Sequence, residues 1–275
     1  MIASACQFIA QATAIVDPFG PIAIDYDRVF THSAIGQAQR SQVLRQIERC
    51  FAPGSHVLEL NCGTGEDALA LARSGVRVSA YDASPKMVSV ASSKLSSEPF
   101  RLRVQFSVLR NEHLFQLEGS FDGALSNFAG LNCSLDWRGI ADELARLVKP
   151  GGHLLLCILG RMCLWEMVHS LLRGRFRKAF RRARRGPSIA HIDGTSLVII
   201  YPSISEARQL FSSGFQLCGW RGVGVFVPPS YCEPHVLGRK RMLNLLASLD
   251  SRFAHLPGVR CWGDHILLDF VRRAA

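Results

Sequence analysis

Short apolar runs alternate with stretches whose apolar residues fall at helical spacing, and this alternation sets the expected fold. The runs Val57-Leu58-Glu59-Leu60, Val76-Arg77-Val78-Ser79-Ala80-Tyr81-Asp82, Val104-Gln105-Phe106-Ser107-Val108, Phe121-Asp122-Gly123-Ala124-Leu125-Ser126 and Leu154-Leu155-Leu156 predict strands over 56–61, 76–82, 101–107, 121–126 and 152–159. Helices are expected between most of them. Strands alternating with helices imply right-handed crossovers and a parallel sheet, with ligands bound beyond the carboxyl ends of the strands. After residue 160 the pattern changes to a helical insertion reaching about 190, a strand over 195–201, a helix over 203–213 and a strand over 215–226. A second insertion, 227–260, precedes a closing strand, His265-Ile266-Leu267-Leu268-Asp269-Phe270-Val271. In front of the core, Ile2, Cys6, Ile9 and Val16 make a helical stripe. The chain is therefore read as an N-terminal helical cap (1–50), a ligand-binding core (51–160), a basic helical insertion serving as a substrate lid (161–200), and the remainder of the core (201–275).

The first strand ends on Glu59 and turns through Asn61-Cys62-Gly63-Thr64-Gly65 into a helix that opens with Glu66-Asp67. Glycines there let the backbone approach a ligand and adopt dihedrals that a Cβ forbids. Asp82 follows about 20 residues on, at the end of the second strand, where a carboxylate suits ribose hydroxyls. Gly63 to Ala68 also satisfies the dinucleotide pattern read literally, with alanine as its last small residue. Charge argues for a different nucleotide. A pyrophosphate would sit at the helix N-terminus, which Glu66 and Asp67 already occupy. A ligand with ribose and adenine but no phosphate, carrying a cationic ammonium and sulfonium, meets no such repulsion. S-adenosylmethionine has that makeup.

On these residues the chain resembles the class I S-adenosylmethionine-dependent methyltransferases, nearest the type 11 branch that modifies small molecules and lipids. Four segments carry the likeness: the Glu59 to Gly65 turn, Tyr81-Asp82-Ala83-Ser84-Pro85-Lys86-Met87, Phe121 to Asn127, and Leu144 to Leu156 with Lys149-Pro150-Gly151-Gly152. The resemblance implies a doubly wound, Rossmann-like α/β fold, its mostly parallel seven-stranded sheet having the last strand antiparallel, with helical cap insertions. It implies that the backbone of Glu59, Asn61, Cys62, Gly63, Thr64 and Gly65 holds the methionine moiety of S-adenosylmethionine. Asp82, with Ala83 and Met87 beside it, would bind the ribose side, Asn127 would line the methyl-donor site, and S-adenosylhomocysteine would be the product. Two departures stand out. Asn61 replaces the family's first glycine, a substitution that positive-φ tolerance of asparagine allows. The acid that usually follows the third strand is missing, and Asn111 is the nearest substitute for holding the adenine amino group.

Composition narrows the partners. With 275 residues, 48% hydrophobic and 20% charged, the chain is long enough to bury a sizeable core. The nine cysteines contain no Cys-x-x-Cys pair and no Cys/His cluster at zinc spacing, so they are read as reduced thiols, with no metal expected. Cys62, although in the turn, is read first as a small residue packing beneath it. No apolar stretch is long enough to span a membrane, and Met1 to Val16 lacks the basic leader of a secretory signal. A cytoplasmic protein, free or peripheral to a membrane, is expected; oligomeric state has no signature in the sequence.

Charge is unevenly placed. Residues 161–275 hold 18 Lys/Arg against 7 Asp/Glu, and eight of those bases fall between Arg173 and Arg185. Phe176, Ala179, Phe180 and Ala183 recur at helical spacing there, predicting an amphipathic basic helix. It fits a lid whose arginines are solvated, an anionic membrane surface with a lipid-like acceptor, or an acidic soluble substrate. Nucleic acid is disfavoured, because stacking aromatics are few and Ser126-Asn127-Phe128-Ala129 is unlike the site of base-methylating enzymes. Should the acceptor be a hydroxyl, a general base would help; the candidates are Tyr26, His32 and His191, then Tyr231 and His235, with His113 read as structural. The leading reading is an enzyme moving a methyl group to O, N or C of a small or lipid-like molecule. A catalytically silent binding protein, an RNA methyltransferase and an NAD-linked oxidoreductase are the competing readings.

Overall fold

The computed structural model describes residues 17–184, 186–192, 194–233 and 239–274. The strands are β1 (His56–Leu60), β2 (Arg77–Asp82), β3 (Val104–Val108), β4 (Phe121–Ser126), β5 (Val148–Leu159), β6 (Pro187–Ile192), β7 (Thr195–Ile200), β8 (Phe215–Val223) and β9 (His265–Arg272). The helices are α1 (Ala34–Cys50), α2 (Glu66–Arg73), α3 (Pro85–Leu95), α4 (Trp137–Leu147), α5 (Leu164–Leu172), α6 (Phe176–Ala179), α7 (Ile204–Phe211) and α8 (Lys240–Phe253). Seven strands form one sheet in the order β3-β2-β1-β4-β5-β9-β8. The pairs β1–β2, β2–β3, β1–β4 and β4–β5 are parallel, while β9 runs antiparallel to both neighbours. The expected doubly wound sheet with its last strand reversed is thus present.

The apolar runs are continuous because both sheet faces are covered. Leu58, Ala124, Leu154, Leu156, Leu268 and Phe270 pack against Trp137, Ile140, Leu144 and Phe211 on one face. Their strand neighbours Val57, Leu125, Leu155 and Leu267 pack against Val43, Ile47, Phe51 and Leu71 on the other. Successive side chains of a strand point to opposite faces, so a strand buried on both sides reads as unbroken hydrophobic sequence. α8 lies against α1, where buried Asp250 accepts from the N–H groups of Val225, Phe226 and Val227 and from Gln42 Nε2. That ties the second insertion to the back of the core. Ser33 caps α1, and Glu233 accepts from the next free amides, Ala34 N at 2.8 Å and Ile35 N at 3.0 Å.

Several expectations change. The third strand begins at Val104, since Arg101–Arg103 closes a 3-10 turn first. The fifth begins at Val148, which pairs with Phe121 ahead of a register shift. The basic amphipathic helix over 175–185 is not formed. Among the described residues of this segment only Phe176–Ala179 is helical, Phe176 is 64% and Phe180 48% exposed, and the supposedly solvated Arg182 is 6% exposed. Gly174, at φ 66°, stops α5, and Arg182 is drawn inward by two acids described below. The insertion is not helical up to 190 either: β6 and β7 form a separate hairpin, so the 195–201 strand lies outside the main sheet. Asp193-Gly194, a hairpin-turn dipeptide between alternating residues, was the local signal for it. The Ile2, Cys6, Ile9, Val16 stripe, Arg185 and His235 lie outside the described residues.

Candidate functional site

The turn after β1 adopts the shape its sequence implies. Asn61 takes φ 56°, Gly63 φ 53° and Gly65 φ 82°. A Cβ on Gly65 would meet the Phe106 ring at 2.5 Å, whereas one on Gly63 would meet nothing within 4 Å among the described residues. Gly65 therefore serves packing as well as dihedral, and Gly63 faces open space. Asn61 is held by its amide oxygen, which accepts from Ser126 Oγ at 3.0 Å and Asn111 Nδ2 at 3.3 Å. Asn111 Nδ2 also donates to Ser134 Oγ at 2.8 Å, so its amino group braces the loop. Cys62 is buried and its thiol is held well above its usual range, first by burial and then by Glu59 and Asp82. It is a packing residue in an acidic setting.

Carboxylates crowd this turn. Asp82 Oδ2 accepts from Gly63 N at 2.9 Å and Oδ1 from Ser84 N at 2.8 Å, which pins the end of β2 to the glycine turn. Burial still holds its carboxyl above the usual range. Glu59 is 1% exposed, its Oε2 has no hydrogen-bond partner among the described residues, and burial with the neighbouring Asp67 and Asp82 charges pushes its carboxyl well up. Asp67 is committed: Arg40 Nη1 donates at 2.6 Å and Asn127 Nδ2 at 2.8 Å. Glu66 is also spoken for, with Lys94 at 2.6 Å. The helix N-terminus is consequently less repulsive to a phosphate than its sequence implies, because Arg40 and Lys94 are distant in sequence from the acids they neutralise.

Residues 17–32 lie across this turn. Ser84 Oγ donates to Asp17 at 2.7 Å, Thr64 Oγ1 to Asp27 at 2.6 Å, and Lys94 to Asp27 at 2.8 Å. The Tyr26 hydroxyl sits among Asp82, Asp67, Asp27 and Arg40, and burial with those acids pushes it up to about 12. Of the sequence candidates for a base, Tyr26 is the one brought to the turn. His32 is exposed at the end of this segment. His191 is exposed on the β6–β7 hairpin with Ser196 Oγ at 3.1 Å. Ala83 is exposed beside Asp82, and Met87 is buried in the first turn of α3. His113 packs edge-on to Phe115, and Tyr231 against His169.

A second set of groups, which joins Asn127 and Tyr26 to residues absent from the sequence candidates, lies further along the strand ends. Asn127 is followed by Phe128 and Ala129 at φ 45° and 67°, two non-glycine residues in the left-handed region, a strain that functional loops often store. Tyr26, Phe30, Phe128 and His265 form a row of rings with successive centroid distances of 5.7, 5.1 and 5.4 Å. His265 opens β9, opposite Leu159 of β5 and Val223 of β8. It is 7% exposed, with Nδ1 3.5 Å from Asp264 Oδ2. Asp264 Oδ1 accepts from Arg182 Nη2 at 2.9 Å, and Arg182 Nε donates to Glu166 at 2.7 Å. Burial pushes the Asp264 carboxyl up, but His265 and Arg182 outweigh it and hold it below its usual range. Burial holds the His265 imidazole below its own usual range. The Asp264-His265 dipeptide is visible in the sequence, but its meeting with Arg182 and Glu166 spans up to about a hundred residues and leaves no local pattern.

Away from the turn, Cys50, His153 and Asp269 bring three donor atoms within 4.8 Å of one another, a grouping that motif spacing could not find. His153 Nδ1 is 2.8 Å from Asp269, and burial with the Asp269 charge pushes the Cys50 thiol up to about 12. The eight described cysteines are free. Hollows of 280 and 360 Å³ lie beside Phe51 and beside Trp220, neither lined by a turn residue. The strand-end crevice, where charge and strain converge, is the candidate site.

A family model described as a methyltransferase domain matches residues 57–152. A demethylmenaquinone methyltransferase of Clavibacter sepedonicus is 35% identical over 141 residues, covering 50% of this chain and 55% of the relative. A ubiquinone biosynthesis O-methyltransferase of Xanthomonas campestris pv. campestris is 38% identical over 114 residues, covering 41% and 46%. The chain thus spans about half the length of these curated relatives. Among solved structures, the CcbJ methyltransferase from Streptomyces caelestis superposes with TM-score 0.60 at 14% identity, covering 95% of this chain and 99% of that one, a likeness of fold.

Proposed function

We propose, on the premise that the chain belongs to the class I S-adenosylmethionine-dependent methyltransferases, that it transfers a methyl group from S-adenosylmethionine to a small, apolar acceptor. The observation that carries this reading is Glu59. A carboxyl 1% exposed, with an unpartnered oxygen and two further acids acting on it, is a poor arrangement for the protein alone and a good one for a cationic ligand. The open space over Gly63 admits a ligand against the backbone. Glu59, Gly63 and Gly65 would hold the methionine end and Asp82 the ribose, with Met87 and Ala83 beside it. When bound, the cofactor supplies an electrophilic methyl. The chain's own part is to orient both reactants and exclude water, which residues 17–32 are placed to do.

The apolar character of the acceptor rests on the Tyr26, Phe30, Phe128 row and agrees with the quinone names of the sequence relatives. A membrane-borne acceptor also fits the surface of the basic segment. Leu172, Phe176, Phe180 and Ile189 are exposed among Arg173, Arg175, Arg177, Lys178 and Arg184. Apolar tips ringed by basic residues suit an anionic bilayer. Among the described residues no helix is long and apolar enough to cross one. Titration calorimetry with S-adenosylhomocysteine and with NADH tests the cofactor; binding of NADH alone would reverse the assignment. Methylated product separates an enzyme from a silent binding protein. Sedimentation with phosphatidylglycerol vesicles, but not with phosphatidylcholine vesicles, is the expected outcome for the surface.

A further inference from the structure

We propose that His265 is the catalytic base of this chain and Asp264 its positioning residue, so that the acceptor presents an ionisable hydroxyl on a flat, aromatic ring. Resting on the methyl-transfer reading, the inference adds what this chain does to the acceptor. It begins from the imidazole Nδ1, which is buried, lacks a hydrogen-bond partner among the described residues and stands 3.5 Å from Asp264 Oδ2. Catalytic contacts are often this long without ligand and tighten around it. An ionised carboxylate beside Nδ1 selects the tautomer with its proton there, which leaves Nε2 a lone pair.

The surroundings fix that carboxylate. Arg182 Nη2 donates to Asp264 Oδ1 at 2.9 Å and Nη1 to the Asp264 carbonyl at 2.8 Å, while Nε is held by Glu166. Asp264 N donates to the Gly224 carbonyl at 3.1 Å. Held by Arg182, by Gln39 and through its own N–H, Asp264 keeps Oδ2 3.5 Å from the imidazole Nδ1. The charged or titratable groups acting on His265 are Asp264 from its own loop and Arg182 from the turn after α6; Arg182 opposes protonation and Asp264 favours it. Burial adds to Arg182, so the ring is neutral near pH 7 and able to accept a proton. Its partner in space is the Phe128 ring, edge-on at 5.4 Å, which stands on the strained loop directly after Asn127. An aromatic acceptor lying along the Tyr26, Phe30, Phe128 row would bring a ring hydroxyl toward this imidazole.

The chemistry requires such a group. A phenol, with a pKa of about 10, is almost wholly protonated at pH 7, and its neutral oxygen is a weak nucleophile. In the proposed step the hydroxyl proton passes to His265 Nε2 while the O–CH3 bond forms and the S–CH3 bond breaks. The electron pair of the broken bond returns to sulfur, and the imidazolium then loses its proton to solvent. Arg182 gives the basic insertion a use that neither lid nor membrane contact anticipates: it holds the acid that orients the base.

Catechol is the acceptor probe, with His265→Gln, His265→Ala and Asp264→Asn measured beside the parent protein. Expected for both His265 variants is a kcat lower by roughly 100-fold or more at pH 7, with S-adenosylhomocysteine affinity and the KM for catechol within about 2-fold. The deficit should shrink near pH 10, where the phenol ionises unaided. Free of turnover, carbon-13 histidine resonances should place the His265 titration below that of an exposed histidine, and Asp264→Asn should move it. Parental kcat in His265→Gln overturns the proposal, as does a parent that binds S-adenosylhomocysteine yet leaves catechol unmethylated. Failure of the parent to bind S-adenosylhomocysteine would instead strike the methyl-transfer reading.

Discussion

Glu59 and Asp264 are both buried acids at the carboxyl ends of the sheet, three strands apart in its order, or about 14 Å at usual strand spacing. Burial pushes both carboxyls up, yet Glu59 stays up and Asp264 ends below its ordinary range. The difference is the nearest cation. Arg182 gives Asp264 two hydrogen bonds, whereas the bases near the turn are spent on other acids, Arg40 on Asp67 and Lys94 on Asp27 and Glu66. Where the protein completes its own charge pairs, it fixes geometry in advance; where it leaves an acid incomplete, it leaves a seat for a cation. One end of the crevice is built for orientation and the other for capture.

The largest effect should come from breaking the completed end. Arg182→Ala leaves Asp264 buried without a counter-charge and Glu166 with Arg181 alone, and about 3–5 kcal/mol of stability should be lost in urea unfolding. Adding Asp264→Asn to it should return part of that loss, because the stranded charge is removed. A cost under about 1 kcal/mol would place the cluster in water and dissolve the contrast.

At the incomplete end, Asp82→Ala should weaken S-adenosylhomocysteine binding by about 1–3 kcal/mol, measured by calorimetry, since a charged hydrogen-bond partner is lost while Gly63 N also loses its acceptor. Glu59→Gln is the sharper probe, as its two effects have opposite signs. A carboxyl whose folded pKa is raised takes up protons more readily folded than unfolded. Its contribution is therefore complete below the ordinary carboxyl range and is lost as pH rises through the raised value. Removing that charge should stabilise the ligand-free protein by about 1–2 kcal/mol at pH 7 and flatten the decline of stability with pH, while cofactor affinity falls. A less stable Glu59→Gln protein at pH 7 would mean that the acid is paired after all.

The two ends were not equally legible. The turn lies within one strand and one helix, so glycine spacing and the acids at 59 and 82 exposed it, and the double coverage of the sheet was implicit in its unbroken apolar runs. What local pattern misread was charge. Read locally, Glu66 and Asp67 look bare, although Lys94 and Arg40 neutralise them from two other helices. The spacing of Phe176, Ala179, Phe180 and Ala183 predicts a helix over 175–185, although burying Arg182 against Glu166 and Asp264 outweighs burying that thin stripe. Both errors have one cause: periodicity describes a segment facing a uniform environment, and a buried ion pair is set by a partner far away in sequence. His265 escaped notice for the same reason, looking like any residue at the start of a strand until Phe128 and Asp264 stand beside it.

His191 marks the lower limit of the comparison. Its place in the sequence, at the end of the basic insertion, suggests a base, yet it sits on the exposed alternation of β6 with Ser196 beside it. Exposed histidines without a buried partner change stability by within about 0.5 kcal/mol when truncated. His191→Ala should therefore melt with the parent protein, bind S-adenosylhomocysteine with the same affinity and retain catechol methylation within about 2-fold, while His265→Ala, identical in composition change, loses roughly 100-fold. Equal losses in the two variants would carry the base to the hairpin and remove the reason for a completed charge cluster at the other end of the crevice.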